Sequence, residues 1–189
     1  MRRAVAHLRP GIAILCLLAA TLPAAAQAPS SRMGPQVGDL APAFSLETLD
    51  GKTLTRENLK GKVVVLDFWA TWCVPCLRAL PELKDLKKKN ASQPLVVVSV
   101  SVDDNKKAVE EFVRGHAMDW PQVWDAGMNA TVGLFRVQNF PTYIVIGADG
   151  RIVTRAQGWS PGRTAMQINN AVEKSLKEAR KAPAAEAAR

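Results

Sequence analysis

Histidine is nearly missing from this chain: His7 and His116 are the two that occur in 189 residues, and cysteine is scarcely commoner, at Cys16, Cys73 and Cys76. A structural zinc centre takes four ligands, most often Cys and His, and no evident set of four is available. So few cysteines also exclude a scaffold stapled by disulfides, and a chain of this length buries a core without them. Long apolar runs are lacking too. Gly11 to Leu22 falls well short of the roughly 20 residues that span a bilayer, which weighs against a membrane anchor. Internal repeats are absent, and the basic residues are scattered rather than clustered on one motif, so no nucleic-acid partner is expected. The run Lys84, Lys87, Lys88, Lys89 reads as a solvated helix end favoured by the negative pole of the helix dipole.

What is present begins with an export signal. Arg2, Arg3 and Arg9 form a basic start, Gly11 to Leu22 an apolar middle, and Pro23-Ala24-Ala25-Ala26-Gln27-Ala28 a small-residue cleavage region, the three parts of a secretory peptide. Cleavage is expected after Ala26, which makes residues 1–26 the signal and the mature protein periplasmic. Cys16 follows the bulky Leu15, unlike a lipid-attachment cysteine. Removal of the signal leaves 22 basic against 17 acidic residues and two cysteines, Cys73 and Cys76. In an oxidising compartment that lone pair closes too short a loop to serve as a useful staple.

Residues 27–36 lack periodicity and read as a linker. The stretch Val37 to Glu47 alternates into a short strand, and Asp50-Gly51 between Leu49 and Leu54 signals a hairpin. Val63 to Phe68 and Leu95 to Val102 are apolar on both faces, as central strands are when helices cover both sides. Leu77, Leu80, Leu83 and Leu86 recur at helical spacing up to about Asn90, across Pro81, which should kink the helix. A helix is expected from Asn105 to Gly115, capped by Asp103 or Asp104. Trp120 to Asp125 reads as extended, Asn129 to Phe135 as a short helix, and Thr142 to Ile146 with Ile152 to Ala156 as a hairpin around Asp149-Gly150. A last helix runs from Arg163 to about Ala179, and 179–189 is an Ala-rich polar tail expected to be disordered. Strands alternating with helices and a terminal hairpin imply an α/β domain over 37–178, with a central mixed sheet covered on both faces.

The chemistry centres on Phe68-Trp69-Ala70-Thr71-Trp72-Cys73-Val74-Pro75-Cys76: strand, turn and helix, with a dithiol at the helix start. A thiol there meets unpaired backbone N–H groups and the positive end of the dipole, both of which favour thiolate. C-x-x-C serves as a redox pair or as half a zinc site, and the shortage of further ligands favours redox. Asp67, near the end of an apolar run, either reaches solvent from an edge or lies beneath the dithiol. Burial would raise its pKa and let it exchange a proton with Cys76 near neutrality, and that reading is favoured. Phe140-Pro141-Thr142 either merely starts a strand or holds a cis peptide that presents the Phe140 backbone to a substrate chain. Spacing leaves both open. Trp120, Trp124 and Trp159 are read as core.

Asp67 to Cys76, Pro81, Phe140-Pro141-Thr142 and Asp149-Gly150 together resemble the thioredoxin superfamily. Val37-Gly38-Asp39, Ala41 to Leu46, Asp50-Gly51-Lys52 and Trp72 to Cys76 resemble, more narrowly, its TlpA/ResA-like exported oxidoreductases of the redoxin type. The resemblance implies a thioredoxin-like fold with an N-terminal β-hairpin extension and an αβ insertion, Asn105 to Asn139, before a cis-proline at Pro141. It implies that Cys73 is the exposed attacking cysteine and Cys76 the buried resolving one, with Trp72, Val74, Pro75, Phe140 and Pro141 at the client-binding surface. No cofactor beyond the Cys73–Cys76 disulfide and no metal site is expected. Many members of that branch carry glutamate three residues after the second cysteine, where this chain has Ala79, and asparagine where it has Asp67. The proton-handling carboxylate is inferred to have been relocated.

The implied activity is thiol–disulfide exchange. Val74-Pro75 places no histidine between the cysteines, unlike strong oxidants of the fold, so a protein-disulfide reductase is favoured. Its expected donor is a membrane thiol transporter, its clients apocytochrome c or copper-site assembly proteins, and its state monomeric. A thiol peroxidase of the peroxiredoxin kind would need Thr and Pro where Ala70 and Leu66 stand. A metal carrier using the C-x-x-C pair lacks ligands.

Overall fold

Runs with no polar face set the centre of the molecule. In the computed structural model, which describes residues 34–126 and 131–186, the chain runs β1 (Ser45–Glu47), β2 (Thr53–Thr55), β3 (Val63–Trp69), α1 (Val74–Lys89), β4 (Leu95–Ser101), α2 (Lys106–Gly115), β5 (Gln122–Trp124), α3 (Thr131–Phe135), β6 (Thr142–Ile146), β7 (Ile152–Gln157) and α4 (Thr164–Glu186). Five strands form one sheet in the order β5-β4-β3-β6-β7, and β1 and β2 form a separate hairpin. All seven residues of β3 are buried. It pairs in parallel with β4 from Val63↔Leu95 to Trp69↔Ser101, and antiparallel with β6, where Asp67 faces Tyr143. β5 adds a parallel edge and β7 an antiparallel one, so the sheet is mixed, as expected.

Alternation of side chains along β3 assigns the two faces. Trp69 turns to α2, where its ring lies 5.2 Å from that of Phe112, and Asp67 shares this face with α1. Phe68 points the other way, to Phe135 of α3 at 5.9 Å, and Phe135 in turn meets Phe44 at 6.2 Å. α4 lies on the Asp67 side, held to β7 by Gln167 donating to Thr154 Oγ1 at 2.8 Å. Helices therefore cover both faces. Removing a buried ring such as Phe68 would cost about 3–5 kcal/mol, because lost transfer energy and a cavity add.

α1 buries Cys76, Ala79, Leu80, Leu83 and Leu86 and keeps Lys87, Lys88 and Lys89 in its last turn, where they complement the dipole. It continues through Pro81 to Lys89. Its end at Asn90 is as expected, whereas some other features differ. The cap of α2 is Asn105, whose side chain accepts from the Ala108 N–H at 3.2 Å; Asp103 is engaged elsewhere. The segment before β1 docks on the β7 hairpin, with Gly38 N–H donating to Ile152 O at 2.8 Å and Ala41 N–H to Gly150 O at 2.9 Å. α4 passes the expected stop near Ala179 and reaches Glu186, consistent with the high helix propensity of alanine. Asn129, the export signal with its cleavage region, residues 27–33 of the linker and 187–189 lie outside the described residues.

Candidate redox site

The turn after β3 delivers Cys73 to the N-cap of α1, with backbone φ −85° and ψ 93°. Val74 and Pro75 fill the first helical positions, where proline's missing N–H removes nothing the helix needs. Cys76 follows, and its N–H points to Cys73 Sγ at 3.3 Å. The two sulfurs are joined as a disulfide. The expected difference in exposure is not found: Cys73 is 5% exposed and Cys76 6%. Both cysteines of the disulfide are buried, while Trp72 and Val74 stand out at 64% and 55%. The Phe140 ring meets Trp72 edge-on at 6.2 Å, and the Phe140–Pro141 peptide is cis. Among the described residues no internal hydrogen bond engages the N–H or carbonyl of Phe140.

Asp67 lies beneath the dithiol, 3% exposed. A cavity of about 10 Å³ is bounded by Asp67, Trp69, Cys76, Leu80 and Phe112. Ser99 Oγ donates to Asp67 Oδ2 at 2.8 Å, and Oδ1 has no partner. Burial pushes the carboxyl from its ordinary 3.8 up to about 7, with the Ser99 bond opposing the rise, as expected when a charge must leave water. Tyr143, the cross-strand neighbour, has its hydroxyl buried without a partner, and burial followed by the nearby Asp67 charge pushes its phenol upward. The site thus holds an acid whose proton is exchangeable near neutrality, next to the Cys73–Cys76 disulfide.

A second aspartate supports the turn. Asp103, 4% exposed, receives the Thr71 N–H at 3.0 Å on Oδ2, the Thr71 hydroxyl at 2.6 Å on Oδ1 and the Ser101 hydroxyl at 2.7 Å on Oδ2. Its backbone carbonyl accepts the Trp124 indole N–H at 2.6 Å. Thr71 lies two residues before Cys73, so this carboxylate fixes the path by which the chain reaches the helix cap. Sequence reasoning placed Cys73, Cys76, Asp67, Trp72, Val74, Pro75, Phe140 and Pro141 in one site, and the fold brings the dithiol together with Asp67 and brings Trp72 against Phe140. It missed Ser99, Thr71, Asp103 and Tyr143; Trp120 is core, as expected, and also bonds Ser99 through its indole N–H. The available signal was polar Ser99 and Ser101 inside an apolar strand. Among the described residues no group of three or more His, Cys, Asp or Glu comes together to hold a metal.

A C-x-x-C disulfide capping the helix after the central strand of such a sheet defines the thioredoxin-fold thiol–disulfide oxidoreductases. The chain belongs to the Redoxin family, whose model matches residues 36–173. It is 33% identical over 123 residues to a thiol-disulfide oxidoreductase ResA of Bacillus cereus, covering 65% of this chain and 70% of the relative. With ResA of Bacillus subtilis the identity is 35% over 121 residues, 64% of this chain and 67% of that one. A solved structure from Chlorobium tepidum, assigned as the thiol:disulfide interchange protein DsbE, matches with TM-score 0.69 at 26% identity, covering 75% of this chain and 99% of that chain. The protein is a ResA-like thiol–disulfide oxidoreductase. Among the described residues no helix is long and apolar enough to cross a membrane.

Proposed function

We propose that the protein is exported and reduces disulfides of client proteins through Cys73 and Cys76. The observation that carries this reading is the disulfide at the cap of α1, set over a buried carboxyl that titrates near neutrality. In the reduced protein the Cys73 thiolate attacks a client disulfide. A Cys73–client bond forms and the other client sulfur leaves as thiolate. Cys76 then passes its proton to Asp67 and attacks Cys73 Sγ, which closes the internal disulfide and releases the second client thiolate. Two electrons have moved from the dithiol to the client, and a membrane thiol transporter returns them. No cofactor beyond the disulfide is required.

Trp72, Val74 and Pro75 offer an exposed apolar rim, and the unengaged backbone of Phe140 beside Pro141 offers hydrogen bonds to an extended client segment. Apocytochrome c and copper-site assembly proteins are the proposed clients, on the resemblance to the ResA branch. Cleavage after Ala26 would release a monomeric periplasmic domain spanning 37–178. Direction is tested by the redox potential of the Cys73/Cys76 couple in glutathione or dithiol buffers. A value near the roughly −270 mV of thioredoxin supports a reductase, and one near the roughly −120 mV of the strong periplasmic oxidants contradicts it. A Cys76→Ser variant should accumulate client mixed disulfides on Cys73, which identifies the clients.

A further inference from the structure

Asp67 is not alone in the interior. Trp120, on the segment leading into β5, donates its indole N–H to Ser99 Oγ at 2.9 Å, and Ser99 donates to Asp67 Oδ2 at 2.8 Å. We propose that Ser99 and Trp120 are positioning residues for the Asp67 carboxyl: they commit Oδ2 to a fixed donor and leave Oδ1 as the one atom that takes and gives the exchanged proton. The inference rests on the thiol–disulfide reading of the dithiol and assigns roles to two residues outside its motif.

The direction of the chain follows from what each group is able to do. An indole nitrogen is a donor only, and a serine hydroxyl has one hydrogen with two lone pairs. Ser99 Oγ therefore accepts from Trp120, and its own hydrogen goes to Asp67. A proton placed on Oδ2 would turn that oxygen into a hydroxyl, a poorer acceptor for the seryl hydrogen than the carbonyl-type oxygen that remains when Oδ1 carries the proton. Oδ1 has no partner, so protonation falls there. The arrangement is fixed by the sheet itself. Ser99 is the register partner of Asp67 across the parallel β3–β4 pair, and the Ser99 N–H donates to the Pro121 carbonyl at 3.0 Å. The segment 120–121 is thus attached to Ser99 by both backbone and side chain.

The other groups around Asp67 are few. Tyr143 faces it from β6 and Cys76 from α1, while α2 contributes the uncharged Phe112. Among the described residues the cavity wall adds no further titratable side chain, and the seryl hydroxyl is the only hydrogen-bond donor to the carboxyl. The indole is what keeps that hydroxyl pointed at it.

The test is a carbon-13 NMR titration of the Asp67 carboxyl in the full oxidised protein, for the wild type and for Ser99→Ala, Ser99→Thr and Trp120→Phe. Losing a hydrogen bond to the charged form should move the Ser99→Ala midpoint upward by about one pH unit. Trp120→Phe keeps the buried ring and should move it the same way by less, and Ser99→Thr, which retains the hydroxyl, should restore the wild-type midpoint. Should Ser99→Ala fail to fold, Trp120→Phe decides. Unmoved midpoints in both variants, or a Thr variant that titrates like the Ala one, overturn the proposal. The titration needs no client. A shifted midpoint with unchanged rates of mixed-disulfide resolution would instead count against Asp67 as the proton carrier while leaving the positioning of its carboxyl intact.

Discussion

Two buried aspartates serve the redox site, Asp67 beneath the pair and Asp103 through Thr71 in the turn before it, and they are treated in opposite ways. Asp103 has three donors on its carboxylate, from Thr71 N–H, Thr71 Oγ and Ser101 Oγ. Asp67 has one, from Ser99, and an oxygen with no partner. Each is served by a serine of β4, two residues apart on the same face, so the difference lies in what else reaches them. The turn before Cys73 brings a backbone N–H and a hydroxyl to Asp103. Nothing among the described residues brings a second donor to Asp67. A carboxylate so well supplied is a clamp, whereas one left short of donors in an apolar site holds its proton and is suited to trading it.

The comparison breaks most visibly in stability. The folded carboxyl of Asp67 binds its proton more tightly than the unfolded one, with a pKa raised from 3.8 to about 7. Its contribution is therefore complete below the unfolded value and is lost as pH rises through the folded one. Asp67→Asn should consequently raise unfolding stability at about pH 8 by about 4 kcal/mol and remove the decline between the two pKa values, as measured by urea unfolding at several pH values. Asp103→Ala should do the reverse, costing about 3 kcal/mol by stranding buried donors. A loss in the first variant or a gain in the second would erase the distinction. Ser101→Ala sharpens it: removing one of several donors should cost about 1 kcal/mol and leave the pH dependence of exchange in place, unlike the change expected at Ser99.

The strand and helix order was legible because β3, β4 and the leucines of α1 carry plain periodicities, and the dithiol because its chemistry sits in four consecutive residues. Asp67 was legible as a charge inside an apolar run. Asp103 was misread as a helix cap, since an acid just ahead of a helix fits that role locally, while its actual partner Thr71 lies 32 residues away. The link from Trp120 to Ser99 crosses 21 residues and depends on β5 pairing with β4. No local pattern encodes such a contact. Equal burial of the two cysteines was likewise out of reach, because burial depends on neighbours distant in sequence.

The central claim is that Asp67 carries the proton that Cys76 gives up. It is tested most directly by forming the mixed disulfide on Cys73 and following its resolution by stopped flow across the neutral pH range, in wild type and Asp67→Asn. Resolution in the wild type should show an inflection near the Asp67 value of about 7, and in Asp67→Asn it should lose that inflection and slow by about 100-fold, the lower range of general acid–base effects. Equal rates with the same inflection in both proteins would contradict the account.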